Sequence, residues 1–412
     1  MPVLVSIAAL ALLAGAAAGG ATAPSSDPVY AVPRKGPWIA DVSERMAEIR
    51  WEVSDPAHPG ALVVATARHP ATVHGAIARA RVESLEPDRA YDYHVDFSGA
   101  RTATHVLRTL PLDGQPVSFA AIGDLRNGHV VHARLAARIA QERPDFVVST
   151  GDLVADGRKE SDWQAFFEAE RALLAVAAHL PAVGNHDARG LLNESLWDGY
   201  FPENRYREVR AGVLRLLFVD TTQAFGAQTK QGIWLRERLQ AAKEERESGK
   251  PVWILAIHHH PAFSSGNHGS EESVQRELVP LYEAHGVDLV LQGHDHVYER
   301  LEKGGVVYVT TGGGGAPLYK VRGLPETKVA KAVHHWLKIQ ADRDRLAFQA
   351  LGLDGETIDA RELRQGRERA DRAAPSTGPA ALLSSVGFVA SCAAAAWLAS
   401  ARFAEKKTPA SP

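Results

Sequence analysis

Five apolar runs in the middle of the chain each end on residues that bind cations. Phe119-Ala120-Ala121-Ile122-Gly123 leads to Asp124, Phe146-Val147-Val148-Ser149-Thr150-Gly151 leads to Asp152, and Leu180-Pro181-Ala182-Val183-Gly184 leads to Asn185, His186 and Asp187. Further on, Val252-Trp253-Ile254-Leu255-Ala256-Ile257 runs into His258-His259-His260-Pro261, and Leu289-Val290-Leu291-Gln292-Gly293 into His294-Asp295-His296. Carboxylate and amide oxygens mixed with imidazoles suit Zn, Mn or Fe rather than Ca, and no thiolate is at hand to change that preference. Asp124, Asp152, Asn185, His259, His294 and His296 are the candidate ligands, enough for two ions. Two divalent ions about 3.5–4 Å apart lower the pKa of a shared water and clamp the oxygens of an in-line displacement at phosphorus.

Such residues converge only if the elements before them are arranged for it. In layered α/β domains, ligands bind beyond the carboxyl ends of the strands, so five strand endings can meet at one edge. Residues 116–353 show the required pattern, β-rich apolar runs separated by amphipathic helical stretches. Residues 30–111 are different: short alternating segments lie between turn residues, as in Glu48-Ile49-Arg50-Trp51 and Tyr91-Asp92-Tyr93-His94-Val95-Asp96-Phe97. Their odd positions share one buried face, which predicts a small β-sandwich. Residues 362–379 turn from highly charged to Ala-, Pro-, Ser-, Thr- and Gly-rich, the composition of a linker.

With 412 residues, 45% hydrophobic and 23% charged, the chain can bury two or three cores. Its 46 Lys and Arg against 49 Asp and Glu, a formal charge of -3, give no electrostatic reason to expect a nucleic-acid partner. The single cysteine, Cys392, forms no intrachain disulfide, so location has to be read from the ends. An Ala/Leu-rich stretch is followed by Ala21-Thr22-Ala23, a small-x-small cleavage pattern, so residues 1–23 read as a signal peptide. No Lys or Arg precedes the apolar run, and an uncleaved anchor is the alternative. Residues 380–401 carry no Asp, Glu or Lys and only the final flank turns basic, at Arg402, Lys406 and Lys407. That length and flank predict a transmembrane helix holding an exported protein on the outer side of the membrane. A disordered tail or a removable sorting signal is the other reading.

The order Gly-Asp, Gly-Asp, Gly-Asn-His-Asp, His-x-Pro, Gly-His-x-His resembles the calcineurin-like metallophosphoesterase superfamily. Gly293-His294-Asp295-His296-Val297-Tyr298-Glu299-Arg300 is most similar to the purple acid phosphatase branch, and Leu85-Glu86-Pro87-Asp88-Arg89-Ala90-Tyr91 resembles the fibronectin type III-like module that precedes the catalytic domain there. The resemblance implies an α+β, four-layer metallophosphoesterase β-sandwich flanked by helices, behind a small all-β sandwich. It implies that Asp152 bridges two metals, that Asn185, His259 and His294 hold one, and that Asp124 and His296 hold the other. His186 becomes the group that stabilises the transition state or protonates the leaving group, with Asp187 orienting it.

Two positions depart from the family pattern. Where many superfamily members have Asp-x-His, Leu125 is followed by Arg126, whose guanidinium has no acceptor atom and cannot be a ligand. Purple acid phosphatases supply a tyrosine three residues after the second Asp, and that position is Ala155. The first metal site is therefore short of a family ligand, leaving its ion to be bound weakly, completed by water, or held by a substitute such as His129 or His132. Arg126 is instead a candidate phosphate fork. His258 should pack, His260 should line the pocket edge, and His132, in a helix, should be partly exposed. His268, His334 and His335 read as structural or solvated, and Gly312-Gly313-Gly314-Gly315, lacking the Lys-Ser/Thr of a P-loop, as a flexible loop near the site.

Three activities fit: hydrolysis of a phosphomonoester on a small molecule or surface, hydrolysis of a nucleotide or lipid phosphodiester, or binding of a phosphorylated ligand by a metal-poor domain. His186 argues against the last, because a binder has no need of a proton donor.

Overall fold

The computed structural model describes residues 33–189, 196–201 and 205–365. The expected signal peptide, most of the linker and the expected transmembrane helix lie outside these residues, and no helix among them is long and apolar enough to cross a membrane.

The N-terminal part is an all-β sandwich. One sheet pairs Trp38–Val42, Ala47–Glu52, Ile77–Val82 and Thr72–His74 in that order; the other places Ala61–Val64 between Ala67–Pro70 and Ala90–Phe97, and the last of these also pairs with Ala100–Arg101 and His105–Arg108. Alternation decides the inner faces: Ile49, Trp51, Tyr93 and Val95 are fully buried, and Tyr91 and Phe97 pack against them. The Tyr91 hydroxyl accepts the Glu86 N–H at 2.8 Å, tying the turn before the strand to the strand itself.

The C-terminal part has two more sheets, face to face. In the first, Val117–Ile122, Phe146–Ser149 and Ala178–Pro181 run parallel, and His335–Ala341, Arg345–Gly352 and Thr357–Arg364 complete it in antiparallel fashion. In the second, Leu214–Phe218, Trp253–Ile257, Leu289–Gln292 and Val306–Thr311 are parallel at the centre, with antiparallel strands on both flanks. The inner faces meet through Phe119, Phe146, Leu216, Phe218, Ile257 and Leu291. Phe119 and Phe146 stack at 5.0 Å between ring centroids. Helices His129–Glu142 and Glu160–Leu174 cover the outside of the first sheet, and Lys230–Glu247 and Val279–His285 cover the second. Four layers result, with strands buried on both faces, which is why they read as continuous apolar runs rather than alternating ones.

The first sheet reaches Arg364, past the Leu353 expected from sequence, so Glu362, placed at the start of the linker, lies inside a strand. Charge misled here: Thr357–Arg364 is an edge strand whose polar side chains face solvent or pair across to Arg345, and only Leu363 is buried.

The sandwich and the four layers that follow it share polar ties. The Tyr93 hydroxyl donates to the Ala175 carbonyl at 2.7 Å, and Arg50 donates to the carbonyls of Gly199 and Phe201 at 3.0 and 3.3 Å. The buried Lys35 ammonium pairs with Glu52 and Glu160, one from each side. Trp38 packs on Phe167 and Tyr200 with centroids 4.6 and 6.2 Å away.

On the outer face of the first sheet, Glu170 is completely buried between His132 at 3.0 Å and His179 at 2.7 Å. His132 is thus neither partly exposed nor a metal ligand; it joins one helix, through the Glu170 of the next, to the strand Ala178–Pro181. Removing one member of a buried charge cluster strands the others without a partner. We expect Glu170→Ala to lower unfolding free energy by about 3–5 kcal/mol, measured from urea denaturation. A change within error would mean that the two imidazoles do not depend on this carboxylate.

Candidate metal centre

The parallel strands of both sheets end on the same edge, and each ending carries the polar residues expected from sequence. Asp124, Asp152 and His294 all have positive φ, at 58°, 56° and 72°. A left-handed backbone at a non-glycine residue is sparsely populated and persists only when neighbours hold it. Here they do: Asp124 N–H donates to the Gly151 carbonyl at 3.0 Å, and His294 N–H donates to the Asp124 carboxylate at 3.0 Å. Gly184 allows the next loop to approach, since a Cβ there would stand 2.2 Å from both the Asp152 nitrogen and its Oδ1.

His259 sets the geometry. Its Nδ1 lies 2.9 Å from the Thr150 carbonyl, so the ring proton sits on Nδ1 and Nε2 carries a lone pair. Around that Nε2 stand Asn185 Oδ1 at 3.0 Å, His294 Nδ1 at 3.2 Å and Asp152 Oδ1 at 3.4 Å. His296 repeats the arrangement: Nδ1 bonds to the Pro317 carbonyl at 2.7 Å, and Nε2 points toward Asp124 Oδ1 at 3.6 Å. His296 Nε2 and Asp152 Oδ2 are buried and have no hydrogen-bond partner. One ligand atom from each of Asp124, Asp152 and His259 falls within 4.8 Å of the other two.

The electrostatics point the same way. Burial, with the Asp152 charge beside it, pushes the Asp124 carboxyl well above the ordinary range, and the same two causes raise Asp187. Burial pushes His259 well down, His294 down to about 2 and His296 to about 4, so all three rings are neutral near pH 7. Acceptor atoms crowded at 3.0–3.6 Å, carboxylates short of positive charge and neutral imidazoles with free lone pairs are a donor set that fits divalent cations.

Asp187 does not orient His186. Its buried carboxylate accepts N–H groups from Asp152 at 2.8 Å, Gly184 at 3.0 Å and Val154 at 3.2 Å, joining two of the loops. The His186 ring is positioned instead by Nδ1 on the Ala155 carbonyl at 2.6 Å, with Nε2 4.0 Å from Asp152 Oδ2 and 3.1 Å from Arg126 Nη1. A backbone carbonyl therefore does what a carboxylate was expected to do.

The motif from Gly293 to Arg300 divides its work. His294 and His296 face the centre. Asp295 accepts from Ser264 Oγ at 2.5 Å and from His268 N–H at 2.9 Å, and Glu299 accepts from Ser265 N–H at 2.7 Å, so both anchor the loop around residue 268. Tyr298 and Arg300 reach across to Asp359, each at 2.6 Å.

That loop brings in a group sequence reasoning passed over. The exposed His268 ring lies 4.2 Å from the His294 ring, and Tyr319 stacks on His296 at 4.1 Å. The only available signal was that Tyr319 closely follows the Gly312–Gly315 run. That run is not a flexible loop: it is buried, and Gly314 and Ala316 donate to the carbonyls of Gly123 and Asp124, both at 2.9 Å. His258 is buried against Tyr282, and His260 lines the pocket with Nδ1 2.8 Å from Thr221 Oγ1.

The model of the calcineurin-like phosphoesterase family matches residues 117–298, the stretch that contains every one of these candidate ligands. Purple acid phosphatase 4 of Arabidopsis thaliana is 31% identical over 230 residues, 48% of this chain and 68% of that protein. The chain belongs to this family of metallophosphoesterases, on its purple acid phosphatase side. Purple acid phosphatase 17 of the same plant is 29% identical over 230 residues, again 48% of this chain and 68% of the relative. Among solved structures, a purple acid phosphatase from yellow lupin (Lupinus luteus) seeds shares the fold at a TM-score of 0.69 and 17% identity, covering 83% of this chain and 77% of its own. PhoD does so at a TM-score of 0.58 and 11% identity, covering 79% and 88%. The lupin match spans both the sandwich and the catalytic layers of this metallophosphoesterase.

Asp187→Ala would strand three buried N–H donors at the loop that carries Asp152. We expect it to cost at least about 3 kcal/mol and to weaken metal binding, read by denaturation and by metal titration of the same sample. Unchanged metal affinity would show that the loop holds its shape without the carboxylate.

Proposed function

We propose that this metallophosphoesterase hydrolyses phosphoric esters, phosphomonoesters foremost, with metal ions of the Fe, Mn or Zn type. In this reading Asp152, Asn185, His259 and His294 hold one ion, and Asp124 and His296 hold the other, with Asp152 shared. When bound, the ions supply Lewis acidity at the phosphoryl oxygens and lower the pKa of a water at the site. The carrying observation is the crowding of lone pairs around His259 Nε2, with the half-buried His186 at their edge.

The protein's own groups have separate tasks. His186 stands where it can hand a proton to the leaving oxygen, and the Ala155 carbonyl keeps its ring turned that way. Arg126 presents a guanidinium beside it, suited to two oxygens of one phosphoryl group. Two cationic or proton-donating groups at one point favour a terminal phosphate, with its extra charge, over a diester. His260, His268 and Tyr319 form the wall next to the ligands.

One observation favours a second reading, binding without turnover: Ala155 brings no ligand side chain, and its carbonyl is taken by His186. Hydrolysis assays on the full chain decide between them. With Mn, Zn or Fe added, a chromogenic monoester should turn over faster than the matching diester, a chelator should stop the reaction, and His186→Ala should lose about 10²–10⁴ in kcat. Diester preference would redirect the assignment to nucleotides and lipids. Metal binding with no turnover of either ester would establish the binding reading.

A further inference from the structure

Arg126 occupies a position that no ordinary ligand scheme accounts for. Its backbone is left-handed, with φ at 38°, and its N–H donates to the Asp152 carbonyl at 3.2 Å, so the residue is pinned to the loop it faces. The side chain is 19% exposed and turns inward: Nη1 lies 3.8 Å from Asp152 Oδ2, the buried oxygen without a hydrogen-bond partner. The same Nη1 is 3.1 Å from His186 Nε2, and the guanidinium is close enough to Tyr319, which covers His296 at 4.1 Å, to hold its phenol toward ionisation against the effect of burial. The guanidinium therefore sits among the bridging carboxylate, the candidate proton donor and the aromatic cover of a first-site ligand.

We propose that Arg126 is a built-in cation standing in for part of the charge of one metal: the chain holds a single ion tightly on Asp152, Asn185, His259 and His294, and a second on Asp124 and His296 only weakly. This rests on the metal-dependent reading above and refines it. Asp152 has one oxygen turned to each side. Oδ1 faces His259 Nε2 at 3.4 Å and accepts the His186 N–H at 2.9 Å, whereas Oδ2 faces the guanidinium. The tight position has two neutral imidazoles, an amide oxygen and a carboxylate, with no fixed cation against them. The other has Asp124 and His296 and must share Asp152 with the guanidinium, a positive charge 3.8 Å from Oδ2. At Ala155 no side chain adds an anionic donor to offset it.

The arrangement also constrains His186. Its Nδ1 faces the Ala155 carbonyl at 2.6 Å and its Nε2 faces Arg126 Nη1 at 3.1 Å, so the guanidinium occupies the side of the ring that a leaving oxygen would approach. A phosphoryl group that draws the guanidinium onto its own oxygens frees both Asp152 Oδ2 and His186 Nε2. Substrate binding and uptake of the second ion are thereby coupled through one side chain.

The test is a titration of the chelator-treated full chain with Mn(II), followed by calorimetry and by electron paramagnetic resonance. We expect one tight equivalent with the six-line signal of an isolated Mn(II). The second should bind weaker by a factor of about 10 or more, the order of effect that a unit positive charge within several ångströms would have on a divalent ion even in water-like dielectric. Arg126→Gly, which suits the left-handed backbone, should bring the second ion close to the first and give an exchange-coupled spectrum. Arg126→Lys keeps the charge and should keep the second ion weak, which separates charge from misfolding. Two equal tight ions in the unaltered chain, or a second ion indifferent to Arg126→Gly, overturn the inference while leaving metal-dependent hydrolysis standing. No bound ion in any form overturns both.

Discussion

Everything at the candidate site depends on holding acceptors close to acceptors. Asn185 Oδ1 at 3.0 Å from a lone pair on His259 is a repulsive contact until a cation lies between them, and no strand geometry alone would keep it. The restraint comes from backbone hydrogen bonds one step removed. Asp187 ties the loop of Asp152 to that of Asn185, the Asp124 carboxylate takes the His294 N–H, and the Gly312–Gly315 run braces Asp124 from beneath. The scaffold is thus preorganised around a charge that the protein chain itself does not supply, apart from Arg126.

That division explains what could be read from sequence. Ligand candidates follow apolar runs because parallel strands buried on both faces must be continuous in hydrophobicity, and whatever chemistry they position has to sit just past their ends. The strands Val117–Ile122, Phe146–Ser149, Ala178–Pro181, Trp253–Ile257 and Leu289–Gln292 all obey this, so the layers and the convergence of residues were both legible. The sandwich was legible for a different reason, the period-two burial of Ile49, Trp51, Tyr93 and Val95.

What stayed hidden was set by packing between distant segments. A His-Asp pair in sequence suggests mutual orientation, but adjacent side chains on a tight turn diverge, leaving Asp187 facing backbone and His186 facing Ala155. His132 carried no local mark of its burial, because its partner Glu170 lies on the next helix. Tyr319 and His268 reach the site from loops whose paths are fixed by Asp295, Glu299 and the glycine run, contacts between segments that the order of motifs in the chain does not reveal. Polar composition at the chain's far end likewise concealed Thr357–Arg364 as a strand.

The first sheet has a further consequence for how the molecule comes into being. Val117–Ile122, the strand that presents Asp124, has His335–Ala341 as its neighbour on one side, more than two hundred residues later in the chain. During synthesis every candidate ligand, through His296, is already made before that neighbour exists, and the Asp124 strand waits with one edge unpaired. Long-range pairing of this kind is slow, and an open edge invites contact with other chains. The hairpin of His335–Ala341 and Arg345–Gly352 therefore closes the open side of the Asp124 strand, and the ribosome delivers it only after every candidate ligand.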